Sequence, residues 1–488
     1  MRTLFRSVVF LSWAAVMAVL AASSFSRPGP ATAVRPLPAE ASEQWYGVYS
    51  QGKKVGYQHR VRTPSADGFT VESETVTHLS MLGASQLVTT RLVAETDRSL
   101  RPRKFDFRLR TAGADFVASG VARGEEFEIT SPALGQRTLR LPASATIALS
   151  QTLEDLLAQE PIETGKTFRY TMFDPVSSAP APVTLTIGPL EDVALPAGAR
   201  SAYRIDEEFQ GSQFRLWMEP GGGVIKEEGP LGLTLLREIG ARAAMAGIDL
   251  GASVDLAAIA AIPVRRAIDS PRTLRRLRLR VSDAPPLLEL SFPPRQRLEG
   301  GALVIEREEG FPAGSVSLPV REPDLAEDLR STPFMQVEDP KVRALAVEIA
   351  GPDRDATAVA RKLLDWVFEN LAKEATVSVP NAVQVLEMRK GDCNEHAVLY
   401  AALARAAGLP ARMVAGTVYN PGEGGSSGAF YYHAWNLVWL GRWVAVDPTF
   451  GQFPADATHV AFVEGGPDKD IALIGAIGRI RFEVESFG

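Results

Sequence analysis

The sequence predicts an α+β chain: helices packed on antiparallel sheet in the C-terminal third, preceded by a large antiparallel β-rich domain. Three observations predict it. Between residues 43 and 240, short segments rich in Val, Thr, Phe and Tyr are separated by turn residues, the mark of antiparallel sheet. From residue 332 onward, apolar residues recur at helical spacing and are followed by three short strand-like runs. The composition, 45% hydrophobic and 23% charged over 488 residues, is that of an ordinary globular protein, with room for roughly two to four domains.

The chain opens on a short basic stretch with Arg2 and Arg6, then an apolar run over 7–22 with no polar face, then Ala21, Ala22, Ser23 and Ser24. That is the layout of a secretory signal or of an uncleaved anchor of similar length. Residues 1–25 are therefore read as a signal peptide or N-terminal anchor, and 26–42, rich in Pro and Ala, as a linker. The expectation is an exported protein of the periplasm or cell envelope, membrane-associated through this segment where it is retained. No cysteine stands directly after the segment, which excludes a lipid-modified lipoprotein. A formal charge of −6 is small for this length, so no nucleic-acid partner is expected.

In the β-rich domain, 43–240, residues 71–79, 86–94, 104–109, 126–130 and 200–208 read as strands, and 150–159 as a short helix. Gly52-Lys53 and Ala66-Asp67-Gly68 read as hairpin turns. A curved sheet or partial barrel is expected, with a concave face able to hold something apolar. Residues 241–330 read as a connecting helix and a small β unit. Within them Arg265, Arg266, Arg272, Arg275, Arg276, Arg278 and Arg280 face only Asp269. As a patch they would suit anionic lipid, cell-wall polymer or an acidic partner. Leu277-Arg278-Leu279-Arg280-Val281, however, has period two, and a strand with one wet face is the preferred reading.

The last domain, 331–488, begins with helices at 340–350 and 353–373. In the second, Val359, Leu363, Trp366, Val367 and Leu371 form an apolar stripe broken only by Asn370, and Asp353 or Asp355 can cap it. A shorter helix at 381–388 precedes an Ala-rich one at 394–407, closed by Gly408 and Pro410. Strands follow at 411–419, 430–440 and 443–446. The Gly/Ser loop 420–428 between the first two is read as a rim of the site.

Cys393 is the only cysteine, so no intramolecular disulfide can form. It stands directly ahead of the Ala-rich helix. The first N–H groups of a helix lack intrahelical acceptors and the helix dipole is positive there, so a thiolate and an oxyanion are both stabilised. His433 opens one predicted strand and Asp447 closes the next. Thiol, imidazole and carboxylate are the parts of a nucleophile–base–orienter triad, with catalytic residues Cys393, His433 and Asp447. Register tests this. A two-residue turn at Gly441-Arg442 sends His433 and Asp447 to opposite faces, whereas a three-residue loop Trp439-Leu440-Gly441 places them directly opposite each other. An odd loop is therefore predicted. His396, one helical turn beyond Cys393, lacks an orienting carboxylate and is read as structural, or as supporting the site together with Glu395. His59, His78 and His459 are scattered; no metal site or cofactor is expected.

The segments Gly391-Asp392-Cys393-Asn394-Glu395-His396-Ala397, Gly408-Leu409-Pro410-Ala411-Arg412, His433-Ala434-Trp435 and Trp443-Val444-Ala445-Val446-Asp447-Pro448-Thr449 together resemble the core of bacterial transglutaminase-like proteins, of the papain-like thiol fold. The resemblance covers roughly 340–453. It implies Cys393 as nucleophile, His433 as base and Asp447 as orienter. It also implies acyl transfer from an amide through a thioester, with hydrolysis of a peptide or isopeptide bond favoured over crosslinking. A peptide or protein substrate of the cell envelope is the expected partner. The alternative is a non-catalytic envelope binding or scaffold protein that grips its partner with the β-rich domain.

Overall fold

The computed structural model describes residues 40–488 other than 82–83, 112–114, 125, 132–134, 141–146, 149–151, 175–178, 210–211, 230–231, 250–253, 256–259, 285–287, 310–315, 375–380, 422–427 and 466–478. The expectations for residues 1–25, for nearly all of the linker 26–42 and for most of the Gly/Ser loop lie outside the described residues. Among those described, no helix is long and apolar enough to cross a membrane. They form two compact units, one reaching residue 255 and one starting at residue 260. Strands are numbered β1–β27 along the chain.

Alternation of inward apolar and outward polar side chains builds the first unit. In β5 (Pro102–Arg110), Phe105, Phe107 and Leu109 are buried while Lys104, Asp106 and Arg108 face water, the period-two pattern of a sheet with one covered face. Among the described residues, sixteen strands form one sheet. From β1 (Ser42–Ser50), the strands β2 (Lys53–Ser65) to β8 (Gly135–Arg140) follow outward on one side. On the other side β15 (Leu233–Glu238) meets β1, and the order runs back to β9 (Ile147–Ala148). Two meanders thus share one antiparallel seam, with Trp45 opposite Glu238 and Ser50 opposite Leu233. The turn between β1 and β2 is Gln51-Gly52, both at positive φ, as a twisted two-residue hairpin requires. Phe173 of β10 (Thr167–Asp174) meets Phe105 and Phe127 at ring distances of 5.3 and 5.7 Å, so the sheet curls over its own buried face.

That face is not uniformly apolar. β2 turns Gln58, Arg60 and Arg62 inward. Arg60 donates to Glu227 at 2.7 Å and to Glu154 at 3.5 Å, and Arg62 donates to Asp155. The acidic pair Glu154 and Asp155 belongs to helix α1 (Leu153–Leu157). Burial pushes Asp155 and Glu227 up to about 7, against the pull of the arginines.

The second unit contains the arginine-rich segment and the last helices. β18 (Arg276–Ser282) buries Leu277 and Leu279. Arg276, Arg278 and Arg280 pair with Glu299, Glu306, Glu483 and Glu485, so carboxylates of neighbouring strands answer their charge. Its sheet runs β19 (Gln296–Glu299), β20 (Ala302–Glu306), β18, β27 (Arg481–Phe487). Phe482 of β27 meets Phe430 at a ring distance of 5.0 Å, joining this sheet to the rest of the second unit.

Helix α2 (Ala241–Met245) belongs to the first unit; α3 (Pro340–Ala350) and α4 (Ala356–Asn370) belong to the second. Asp339 caps α3, and Asp355 caps α4 by accepting from Thr357 N and Ala358 N. Asn381 caps α5 (Ala382–Met388). α6 (Cys393–Ala406) follows, and Gly408 at φ +81° turns the chain out of it. The main sheet runs β17 (Ile262–Pro263), β24 (Ala429–Trp439), β23 (Ala411–Asn420), β26 (Val460–Gly465), with β25 (Trp443–Val446) also paired to β24. Asn436 of β24 donates to Ala397 O of α6 at 3.0 Å and to Arg412 O at 3.3 Å, tying α6 to the strand that carries His433.

Candidate active site

Cys393 is the first residue of α6 and is 2% exposed. The start of this helix is fixed by a capping box. Asp392 accepts from Asn394 N at 3.0 Å, and Glu395 accepts from Asp392 N at 3.0 Å, so two otherwise orphan donors are satisfied reciprocally. Gly391 has to be glycine: a Cβ there would overlap Cβ and Cγ of Glu395.

The hairpin carrying His433 and Asp447 pairs Trp439 with Trp443 and Asn436 with Val446. Its loop is Leu440-Gly441-Arg442, with Gly441 at φ +83°. The loop is odd, as predicted, but sits one residue later than the sequence register placed it. His433 and Asp447 therefore share a face as diagonal neighbours rather than direct partners, and Asp447 lies one step past the last ladder pair. The imidazole spans the offset: His433 Nε2 and Asp447 Oδ2 are 2.8 Å apart. Both side chains are fully buried.

Asp447 is saturated. Its Oδ1 accepts from Thr449 N at 2.7 Å and Phe450 N at 3.0 Å. Its Oδ2 faces both His433 Nε2 and His459 Nε2, the latter at 3.0 Å. Burial alone would raise this carboxyl, but the two imidazoles hold it far below the usual carboxylate range. An ionised carboxylate only accepts, so both histidines present Nε2–H to it. For His433 this fixes the tautomer of the neutral ring, with its lone pair on Nδ1. That Nδ1 is buried and has no hydrogen-bond partner among the described residues. Burial holds His433 below the ordinary imidazole value despite the attraction of Asp447.

His396 is placed apart from this pair. Its Nδ1–H donates to Asp392 O at 2.5 Å, and burial lowers it to about 4. The Asp447 carboxylate favours its protonated form, weakly, against that burial.

His459, which sequence reading set aside as scattered, is the residue that was missed. It approaches through the irregular stretch after β25, where Asp447 N donates to Gln452 O and Gln452 N to Asp447 O, both at 2.9 Å. The available signal was Asp456-Ala457-Thr458-His459, an Asx-type turn: Asp456 accepts from Thr458 N at 2.8 Å. Ring atoms of His433 and His459 and a carboxylate oxygen of Asp447 lie within 4.8 Å of one another. Two N–H···O bonds account for that approach, so no metal is assigned to them.

Residues 343–448, which contain Cys393, His433 and Asp447, match the model of the transglutaminase-like superfamily. The chain thus carries a transglutaminase-like domain beside a large antiparallel β-rich region. The protein-glutamine gamma-glutamyltransferase of Pseudomonas aeruginosa is 33% identical over 129 residues, 24% of this chain. The match spans 19% of that relative's length. Among solved structures, the periplasmic domain of TgpA from Pseudomonas aeruginosa is 20% identical, covering 37% of this chain and 89% of that one, with a TM-score of 0.24. A beta-barrel-like protein of a domain of unknown function from Brucella abortus is 12% identical, covering 42% and 96%, with a TM-score of 0.32.

Proposed function

We propose that this chain is an exported thiol enzyme that cleaves amide bonds of a peptide or protein substrate of the cell envelope. Cys393 is the nucleophile, His433 the base and Asp447 the orienter. The observation that carries the reading is the His433 ring: its Nε2–H is committed to Asp447, which leaves the unpartnered Nδ1 to take a proton. The thiol that would supply that proton heads the helix tied to the same strand. The superfamily match across all three residues supports the same roles, and the basic and apolar N-terminal segment supports export.

The chemistry then runs in two halves. Cys393 Sγ loses its proton to His433 Nδ1 and attacks the amide carbonyl, forming a C–S bond and a tetrahedral oxyanion. Cys393 N–H, at the start of α6, would hold that oxyanion. Collapse breaks the C–N bond as His433 returns the proton to the leaving amine, giving a thioester. Water, deprotonated by His433, then displaces the thiolate and releases an acid; an amine in its place would form a new amide. Hydrolysis is the outcome proposed. The relative's name, a protein-glutamine gamma-glutamyltransferase, records the amine route for that protein.

The test is a glutamine-containing peptide incubated with the full chain. Intact mass spectrometry should show an acyl adduct on Cys393, and a labelled primary amine should enter less product than water does. Absence of any adduct, with ammonia release equal in a Cys393→Ala variant, would remove the enzyme reading. Amine incorporation that dominates would convert it to crosslinking.

A further inference from the structure

His459 is fully buried, and each ring nitrogen faces acceptors only. Nε2 meets Asp447 Oδ2 at 3.0 Å; Nδ1 meets Asp456 O at 3.1 Å and Asp456 Oδ1 at 3.4 Å. A neutral imidazole offers one N–H and would leave one of these contacts between two lone pairs. The charged groups around it make the same demand. Asp447 comes from the end of β25, Asp456 from the turn before β26, and His433 from β24. Arg272, from the 3-10 turn Pro271–Thr273, donates to Asp456 Oδ2 at 2.9 Å. Arg295 also donates to Asp456 O, at 2.6 Å, but its charge is answered by Glu308. Among the described residues the carboxylates of Asp447 and Asp456 are thus matched by one arginine, and a second cation is needed for balance. His433 cannot be that cation without a proton on Nδ1, where no acceptor lies among the described residues.

We propose that His459 is a resident imidazolium and a positioning residue, which holds the second face of Asp447 Oδ2 and keeps His433 in its neutral, Nδ1-basic form. This rests on the thiol-enzyme reading for its consequence, though not for its geometry. Asp456, itself held by Arg272, by Gln452 Nε2 at 2.8 Å and by Thr458 N at 2.8 Å, anchors the far side of the ring. The row Asp456–His459–Asp447–His433 therefore extends the orienting machinery two residues beyond Asp447. Asp456 and Asp447 outweigh burial and raise His459, while the charge on His459 adds to burial in lowering His433.

Two measurements test this. Selective ¹⁵N-histidine labelling of the full chain gives five imidazoles. At pH 7.5 one ring, absent from the His459→Gln spectrum, should show both nitrogens protonated; if every ring has an unprotonated nitrogen, the proposal is overturned. The second measurement is the pH profile of Cys393 alkylation by iodoacetamide. The two rings lie 5.7 Å apart, so removing the charge with His459→Gln should move the acid-side inflection up by about one to two pH units, at an effective dielectric of ~20. An unmoved inflection in a folded variant overturns the role at His433. If His459→Gln does not fold, Asp456→Asn serves instead: the doubly protonated ring should then lose a proton at a lower pH than in the parent, and an unchanged titration overturns the proposal. A parent protein with a slow, unactivated thiol would sink the thiol-enzyme reading while the ¹⁵N result still decides the charge on His459.

Discussion

Acid should destabilise the C-terminal unit through His396, by an amount the structure sets. This imidazole is buried at the start of α6, is held neutral, and titrates at about 4 in the folded chain, against about 6.5 when unfolded. A depressed histidine binds fewer protons folded than unfolded. Its contribution is therefore fully present above the unfolded value and is lost as pH falls toward the folded one. Linkage over that gap gives a loss of about 2 kcal/mol between pH 7 and pH 5, and about 3 kcal/mol by pH 4. The assay is urea unfolding followed by tryptophan fluorescence, for the parent chain and for His396→Gln, at half-unit steps. His433 and His459 titrate in both proteins and cancel in the difference, while Asp447 and Asp456, held low, act only at more acid pH. The parent should lose about 2 kcal/mol more than the variant between pH 7 and 5. Parallel pH dependences would refute the assignment of His396 as a buried neutral donor to Asp392 O.

Three further outcomes follow from the same geometry. Asp447→Asn removes the charge that both histidines face, and should cut kcat/KM by about 10²–10⁴-fold with little change in KM; steady-state kinetics check it once a substrate is in hand. Gly391→Ala would push Glu395 away from Asp392 N and break the capping box, at a cost of about 1–2 kcal/mol in chemical denaturation and with slower alkylation of Cys393. Arg295 donates to Glu308, to Ala455 O at 3.1 Å and to Asp456 O at 2.6 Å, all buried. Arg295→Met leaves Glu308 uncompensated and should cost about 3–5 kcal/mol, read as a lowered urea midpoint.

Local chemistry made most of the C-terminal unit legible in the sequence. Asp355, one of two capping candidates, stands at the start of α4, the thiol announced the head of α6, and Gly408 marked its end. The face shared by His433 and Asp447 followed from side-chain parity, which needs only the oddness of the turn. The exact partner did not, because a three-residue loop can slide by one residue without changing parity, and side-chain reach then decides the contact. His459 was hidden for a different reason. It lies 12 residues from Asp447 across a stretch with no period, and only the fold brings its ring to the carboxylate. The inward arginines of β2 were equally unreadable: period two marks which residues share a face, but not that a helix bearing Glu154 and Asp155 will cover it.

Whether His433 activates Cys393 is read from the rate of Cys393 alkylation by iodoacetamide at pH 7 in the parent chain and in His433→Ala. An activated thiol with His433 as its base predicts fast labelling in the parent and a loss of at least about 100-fold in the variant. Equal, slow labelling of both folded proteins would contradict it, leaving a buried cysteine with no base.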